Sequence, residues 1–200
     1  SDSVSIQDGT NYDRYYYTVY DDLNRPVEKG YVNTSYSRDY LKNYYLTNTG
    51  MFTTSNRYYT EKLYYDSHGP VKASCPFVAA TDWVLASDTA TSCKGLLTGK
   101  TFCTYYSTNE IPILVKTEAY YYDKYGRVRQ TVTNNFTSGT DRVTNVYNFA
   151  GQVTQTRYSH NAFSVSYTLD NYYTYDHRGR LLNTEYEAWG YSGNHILRTI

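Results

Sequence analysis

The chain has 200 residues, 19 basic and 19 acidic side chains and a formal net charge of zero, which fits one domain or two small ones and lacks the electrostatic footprint of a nucleic-acid binder. Only 37 residues are Leu, Ile, Val or Phe, against 28 Tyr and 27 Thr; low aliphatic content signals disorder only when joined to high net charge, and Tyr, Thr and Val favour pleated, half-exposed strands, so a β-rich protein with two-sided sheets is predicted. No run approaches the 18 apolar residues that a membrane-spanning helix needs.

Taken in chain order, Asn11–Tyr20 and Arg25–Val32 make a first hairpin. Ser35–Leu46 is ambiguous: Tyr36, Tyr40 and Tyr44 recur at four-residue steps, which suits a helix turn or one face of a strand. Arg57–Tyr65 is a strand. Val71–Cys93 holds five of the nine alanines and reads as an inserted excursion with a short helix around Thr81–Ala86. From Gly95 onward a meander is predicted, with strands at Leu97–Tyr106, Pro112–Tyr122, Arg127–Asn135, Thr140–Asn148, Gln152–His160, Ser164–Tyr175 and Arg180–Ala188. Phe136-Thr137-Ser138-Gly139 is an ordinary hairpin loop. The organisation that follows is degenerate hairpins over residues 1–70, an irregular insertion over 71–94 and a β-meander over 95–200, joined in one continuous structural unit. The start at Ser1-Asp2, without an initiator Met, reads as an excised piece of something longer. Cys75, Cys93 and Cys103 are too few for a disulfide framework; a Cys75 bridge to Cys93 or Cys103 and three free thiols are both open.

One short pattern recurs: Tyr-Asp, two variable residues, Gly, Arg, then an apolar residue. The clean copies are Tyr122-Asp123-Lys124-Tyr125-Gly126-Arg127-Val128 and Tyr175-Asp176-His177-Arg178-Gly179-Arg180-Leu181. Three copies are degenerate. Asn148 and Gly151 stand in one that lacks Asp and Arg; Asp66 and Gly69 stand in one followed by Pro70; Asp21 stands in one with Asn24 in place of Gly. Asp-x-x-Gly suits a type I turn, with Asp at the first corner accepting a backbone N–H and the fourth residue left-handed, a conformation Gly adopts freely and Asn next best. Such a turn closes a hairpin. Val128 and Val132 then share one side of the outgoing strand, with Arg127, Arg129, Thr131 and Thr133 on the other. Asp123 with Arg127, and Asp176 with Arg180, are placed to pair across the turn, a contact of roughly 0–1 kcal/mol when exposed.

On these residues the chain resembles the YD-repeat, or Rhs-repeat, family of bacterial surface and toxin-delivery proteins. Tyr120–Thr131 and Tyr172–Asn183 are closest to its consensus, and family-like sequence covers most of the chain outside Val71–Cys93. The resemblance implies an antiparallel β-sheet built from repeated hairpins, which in long members spirals into a hollow shell around a C-terminal toxin; other members are cell-wall-associated, some reported to bind carbohydrate. About five units are too few to close such a shell, and no proline-rich, Asp-Pro-Gly-containing segment of the kind associated with self-cleavage is present. Only the sheet-forming hairpin unit carries over.

No chemical motif competes with this reading. His68 and His177 sit in turn positions, His160 starts a loop, and with His195 all are expected to be solvent-exposed; none has the short spacing of a metal or hydrolase site. Lys94–Thr101 ends Gly-Lys-Thr, but three residues, not four, separate its glycines and it leads into a strand, so it is no phosphate loop. Asp21, Asp22, Asp66, Asp123 and Asp176 are explained by turns. No cofactor, metal or catalytic residue is expected. Tyr runs such as Tyr15-Tyr16-Tyr17 and Tyr120-Tyr121-Tyr122 put rings on both strand faces, which suits cross-strand ladders or, on an exposed face, stacking on sugar rings.

The expectation is therefore an all-β fold: an antiparallel meander of hairpins forming one extended, twisted repeat sheet with an irregular insertion. Its expected role is a noncatalytic scaffold segment of a secreted or surface-attached bacterial protein. Its expected partners are adjacent repeats of the parent chain, or a second copy, paired through open sheet edges unless the excursion caps them. The alternative is a carbohydrate-binding surface module using exposed tyrosines.

Overall fold

The structure is a computed structural model that describes residues 13–47, 57–79, 90, 92–105, 112–136, 138–163, 165–190 and 195–199. Its elements are β1 (Asp13–Tyr20), β2 (Pro26–Thr34), α1 (Arg38–Thr47), β3 (Arg57–Asp66), β4 (Cys93–Tyr105) and β5 (Pro112–Tyr122). They continue with β6 (Val128–Asn134), β7 (Thr140–Tyr147), β8 (Val153–Asn161), β9 (Ser166–Tyr175), β10 (Leu181–Trp189) and β11 (His195–Thr199). The fold is all-β: the strands form one eleven-stranded antiparallel meander in sequence order, with β1 and β11 at its ends. The helix expected at Thr81–Ala86, and Asn11 at the start of the first expected strand, lie outside the described residues. By its internal contacts the chain divides into two compact units, residues 1–63 with 101–115, and residues 64–100 with 116–200.

In the first unit tyrosines form a ladder. Tyr16 lies opposite Tyr31, and Tyr31 opposite Tyr58. The Tyr16 and Tyr31 ring centroids are 6.2 Å apart, edge to face; Tyr31 stacks on Tyr58 at 5.1 Å, and Tyr105 meets Tyr58 edge-on at 5.1 Å. Such ring pairs contribute roughly 0.5–1.5 kcal/mol beyond area burial. On the other face Tyr17 lies opposite Gly30. A Cβ at Gly30 would fall 2.1 Å from the Tyr58 carbonyl oxygen and 2.7 Å from the Tyr17 hydroxyl, so the bare backbone makes room for that ring. The Tyr17 hydroxyl donates to Glu28 at 2.8 Å, and Arg57 pairs with Glu28 while lying 4.7 Å over the Tyr17 ring. Burial, more than these neighbours, pushes the Tyr17 phenol up to about 12.

The ambiguous stretch after β2 is helical. Ser37 opens α1, accepting the Tyr40 N–H on its hydroxyl at 3.3 Å and the Leu41 N–H on its carbonyl at 3.1 Å, with Asp39 in the first turn, the arrangement of an N-cap with an acidic first turn. Leu41 is buried, and Tyr36 stacks on Tyr40 at 4.6 Å.

In the second unit the core lies between one sheet face and residues 71–79. Val71, Cys75, Ala119, Tyr121 and Val132 are buried together, with Tyr64 and Phe77 packed against them. Fully burying a side chain such as Val132 stabilises by roughly 1.5–3 kcal/mol. The excursion is sewn to the sheet by polar contacts. The Gln130 side-chain amide accepts the Val78 N–H at 3.0 Å and donates to the Val78 carbonyl at 2.9 Å, so it acts as one rung of a β-ladder. The Tyr121 hydroxyl donates to the Cys75 carbonyl at 2.7 Å, and the Cys75 thiol to the Thr117 carbonyl at 3.2 Å. The described part of the excursion thus covers a sheet face and caps neither β1 nor β11, because its apolar anchors match buried positions of β5 and β6 in mid-sheet. All three cysteines are free thiols.

Candidate functional site

Four Asp-x-x-Gly-type corners share one geometry. At each, the N–H of the first residue donates to the carbonyl of the fifth, and the N–H of the fourth donates back to the carbonyl of the first. The distances are 2.9 and 2.9 Å at Asp21, 2.9 and 3.0 Å at Asp123, 2.9 and 3.1 Å at Asn148, and 2.9 and 3.0 Å at Asp176. The fourth residue is left-handed every time: Asn24 at φ 59°, Gly126 at 77°, Gly151 at 85° and Gly179 at 81°. This is a type I turn closed by a left-handed bulge residue, and the strand register shifts at each of these corners.

The first side chain explains why Asp or Asn is needed. One Asp123 oxygen accepts the Tyr125 and Arg127 N–H groups at 2.8 and 3.0 Å, and the other accepts Arg127 Nε at 2.6 Å. Asp176 repeats this with Arg178 and Arg180, and Asp21 with Leu23 and Arg25. Asn148 keeps the acceptor role toward the Gln152 N–H at 3.0 Å and replaces the ion pair with an amide bond to Gln152 at 2.8 Å. At Asp21 and Asp176 the amide of the fifth residue leads in holding the carboxyl below its ordinary value. At Asp123 burial pulls the pKa upward, but the Arg127 amide, its guanidinium and the Tyr125 amide together outweigh it and hold the carboxyl low.

Neighbouring corners are also tied to each other. Arg127 donates to the Asn148 carbonyl at 3.2 Å and lies 4.4 Å over the Tyr147 ring. Gln152, one corner later, donates to the Gly179 carbonyl at 2.9 Å. The tyrosines preceding the last three corners reach backward: Tyr122 donates to the Leu97 carbonyl at 2.6 Å, Tyr147 to the Val128 carbonyl at 2.7 Å, and Tyr175 to the Val153 carbonyl at 2.8 Å. The motif's Tyr and its Arg or Gln therefore bind successive units in opposite directions.

Two expectations are corrected here. Asp66 and Gly69 form no corner. Asp66 itself is left-handed at φ 66° and its carboxylate accepts the Gly95 N–H at 2.6 Å, while the chain enters helix-like turns in which the Lys72 N–H donates to the His68 carbonyl at 2.8 Å and Cys75 to Val71 at 2.9 Å. His68 is not a solvent-exposed turn residue. It stacks on Tyr121 at 4.3 Å, its Nε2 lies 2.7 Å from the Tyr120 carbonyl oxygen, and its Nδ1 lies 3.8 Å from the Cys93 sulfur. The hairpin loop expected after β6 carries a corner-like bond that the Asp-x-x-Gly pattern does not contain: Asn135 accepts the Gly139 N–H at 2.8 Å on its side chain, and Ser138 is left-handed at φ 60°. Its signal was an Asn four residues before a Gly.

The same unit carries an open groove of about 380 Å³, lined by Arg142, Ser159, Asn161, Ser166, Thr168 and Trp189 among others. Arg142 lies opposite Ser159, Ser159 opposite Thr168, and Thr168 opposite Trp189. Paired residues share a face, so four strands present a row in which two small hydroxyls form a floor and a guanidinium and an indole form walls, three strand spacings or roughly 14 Å apart. The next row on that face is closed: Arg157 grips Asp170 with two bonds of 2.7 Å, and Asp170 is buried. His160, Tyr167 and Gly190 complete the lining; by strand alternation the His160 and Tyr167 side chains belong to the other face, and there His160 Nδ1 meets Asp141 at 2.6 Å and its ring stacks on Tyr167 at 4.9 Å. Among the described residues no group of three or more His, Cys, Asp or Glu is placed to hold a metal. No helix among the described residues is long and apolar enough to cross a membrane. Neither the known protein families nor the curated proteins yield a match to this chain.

Proposed function

We propose that this chain is a noncatalytic structural β-repeat segment of a large exported bacterial protein of the YD/Rhs-repeat kind, with the task of extending a sheet scaffold. The observation that carries the reading is the two-way tie between successive corners, Arg127 to Asn148 and Gln152 to Gly179 forward, Tyr147 to Val128 and Tyr175 to Val153 backward. Each of these units presents the groups that the next one uses, so the pattern extends the sheet strand by strand. The end strands β1 and β11 then pair with adjacent repeats of the parent, or with a second copy when the segment stands alone. The test is hydrogen exchange in the isolated segment and in the parent protein. The outward amides of β1 and β11 should exchange quickly in the isolated segment at low concentration and be protected in the parent. Equal exposure of both strands in the parent overturns the reading.

A second reading, carbohydrate binding at the surface, is favoured by the groove, whose hydroxyls, amide and indole match the mixed polar and apolar surface of a sugar. A glycan array without a single saturable binder removes it.

A further inference from the structure

We infer that the groove across β7–β10 is a site for a carboxylated saccharide, with the acid group on Arg142 and a sugar ring lying against Trp189. The inference rests on the carbohydrate reading and gives it a chemical class. Arg142 and Arg157 occupy adjacent rows of one face, yet differ in what they meet. Arg157 is neutralised by the buried Asp170 carboxylate through two bonds. Arg142 is half-buried, its Nε is shielded from solvent and bonds nothing among the described residues, and burial lowers its pKa. A guanidinium remains charged throughout the ordinary pH range, and a partly desolvated one without an anion is costly until an anion arrives. A carboxylate matches its planar fork with two parallel bonds.

The rest of the groove selects the kind of anion. Ser159, Asn161, Ser166 and Thr168 line its floor with three hydroxyls and an amide, groups that both donate and accept. Ser166 donates to Asn161 Oδ1 at 3.4 Å, and a fatty acid would leave the Ser159 and Thr168 hydroxyls and the Asn161 NH2 without the water it displaces. An inorganic anion would fill the Arg142 end alone and leave the rest of the row empty. Trp189, at the other wall, is 45 % exposed, so a flat apolar surface is offered roughly 14 Å from the cation. A ring with hydroxyls on its edge, a carboxylate at one end and a C–H face satisfies all three. The span suits about two linked rings, so a short oligomer is a better ligand than a monosaccharide.

Calorimetric titration of the intact chain with tetragalacturonic acid, and with the neutral tetrasaccharide cellotetraose, tests this. The acid tetramer should bind at least tenfold more tightly than the neutral one, and 0.5 M salt should remove most of that advantage. Arg142→Gln should bring the acid tetramer to the neutral level, while Arg142→Lys keeps a preference for acid. Trp189→Ala should weaken both at least tenfold, with an unchanged far-ultraviolet circular dichroism spectrum establishing that the sheet is intact. Equal binding of the two tetramers, indifferent to Arg142→Gln, overturns the acid preference but leaves the carbohydrate reading standing. Binding of the acid tetramer that survives Trp189→Ala overturns the location. Absence of heat from either tetramer overturns the inference, and the glycan array then decides the reading beneath it.

Discussion

Tyr65–Val71 and Tyr122–Val128 carry Tyr, Asp, Gly and Val at the same four places, yet the second closes a hairpin and the first runs into helix-like turns. The residue after Gly separates them. At Arg127 the backbone N–H donates to the Asp123 side chain and the guanidinium grips the other oxygen; Pro70 has no N–H to offer and no charged tip. Asp66 finds the Gly95 N–H instead. Proline is tolerated one place later, at Pro26, because that position supplies neither bond to Asp21. A corner thus needs its fifth residue as much as its first and fourth.

The largest expected difference between the two regions comes from packing. Val71 is fully buried and sits against the bare backbone of Gly99, so Val71→Ala should cost about 2 kcal/mol in urea unfolding. The half-buried Val128, which follows the corner at the matching place, should cost less than half as much when truncated.

Removing the acid comes next. Asp123→Ala deprives two backbone N–H groups and one guanidinium of their acceptor and should cost about 1.5 kcal/mol. Asp123→Asn, which copies Asn148, should retain most of the stability. An alanine variant as stable as the parent would break the claim that the side chain builds the corner.

A glycine pair sharpens the contrast. Gly126 is left-handed at φ 77°, so Gly126→Ala should cost about 1 kcal/mol. Gly69 lies outside the left-handed region, and an added Cβ would meet only the Ser67 hydroxyl at 3.5 Å; Gly69→Ala should stay within about 0.5 kcal/mol of wild type. Equal losses at both sites would mean that the two segments share a conformation after all.

The smallest effect is titration. Asp21, Asp123 and Asp176 are held below the ordinary carboxylate value. Their contribution is therefore complete above the unfolded value near ~3.9 and is lost as pH falls through the lower folded values. The melting temperature should drop below about pH 4, and it should drop less steeply in Asp123→Asn, which has one carboxylate fewer to protonate.

Much of the meander was legible because its signals are local. The corners at Asp123, Asn148 and Asp176 follow from side chains bonding backbone within four residues, and the strands between them from period-two patterning. The eighth strand of the run, β11, carried no such signal, because no Asp-x-x-Gly sequence stands between Trp189 and His195. The ambiguous Ser35–Leu46 stretch resolved to a helix through Ser37, a capping residue that tyrosine spacing does not weigh. The groove was invisible: Arg142 and Trp189 are 47 positions apart, and only the stacked registers of four strands bring them into one row.

What the amino-acid order determined by itself is the hairpin corner and the β-character of the chain, since both depend on bonds and sterics that a residue makes with its nearest neighbours. What the tertiary structure alone decided is which faces are covered, where Asp66 and His68 go, and that Arg142 and Trp189 fall at the two ends of one row across four strands. Those outcomes depend on register across strands, where a shift of one residue would send every side chain to the other face.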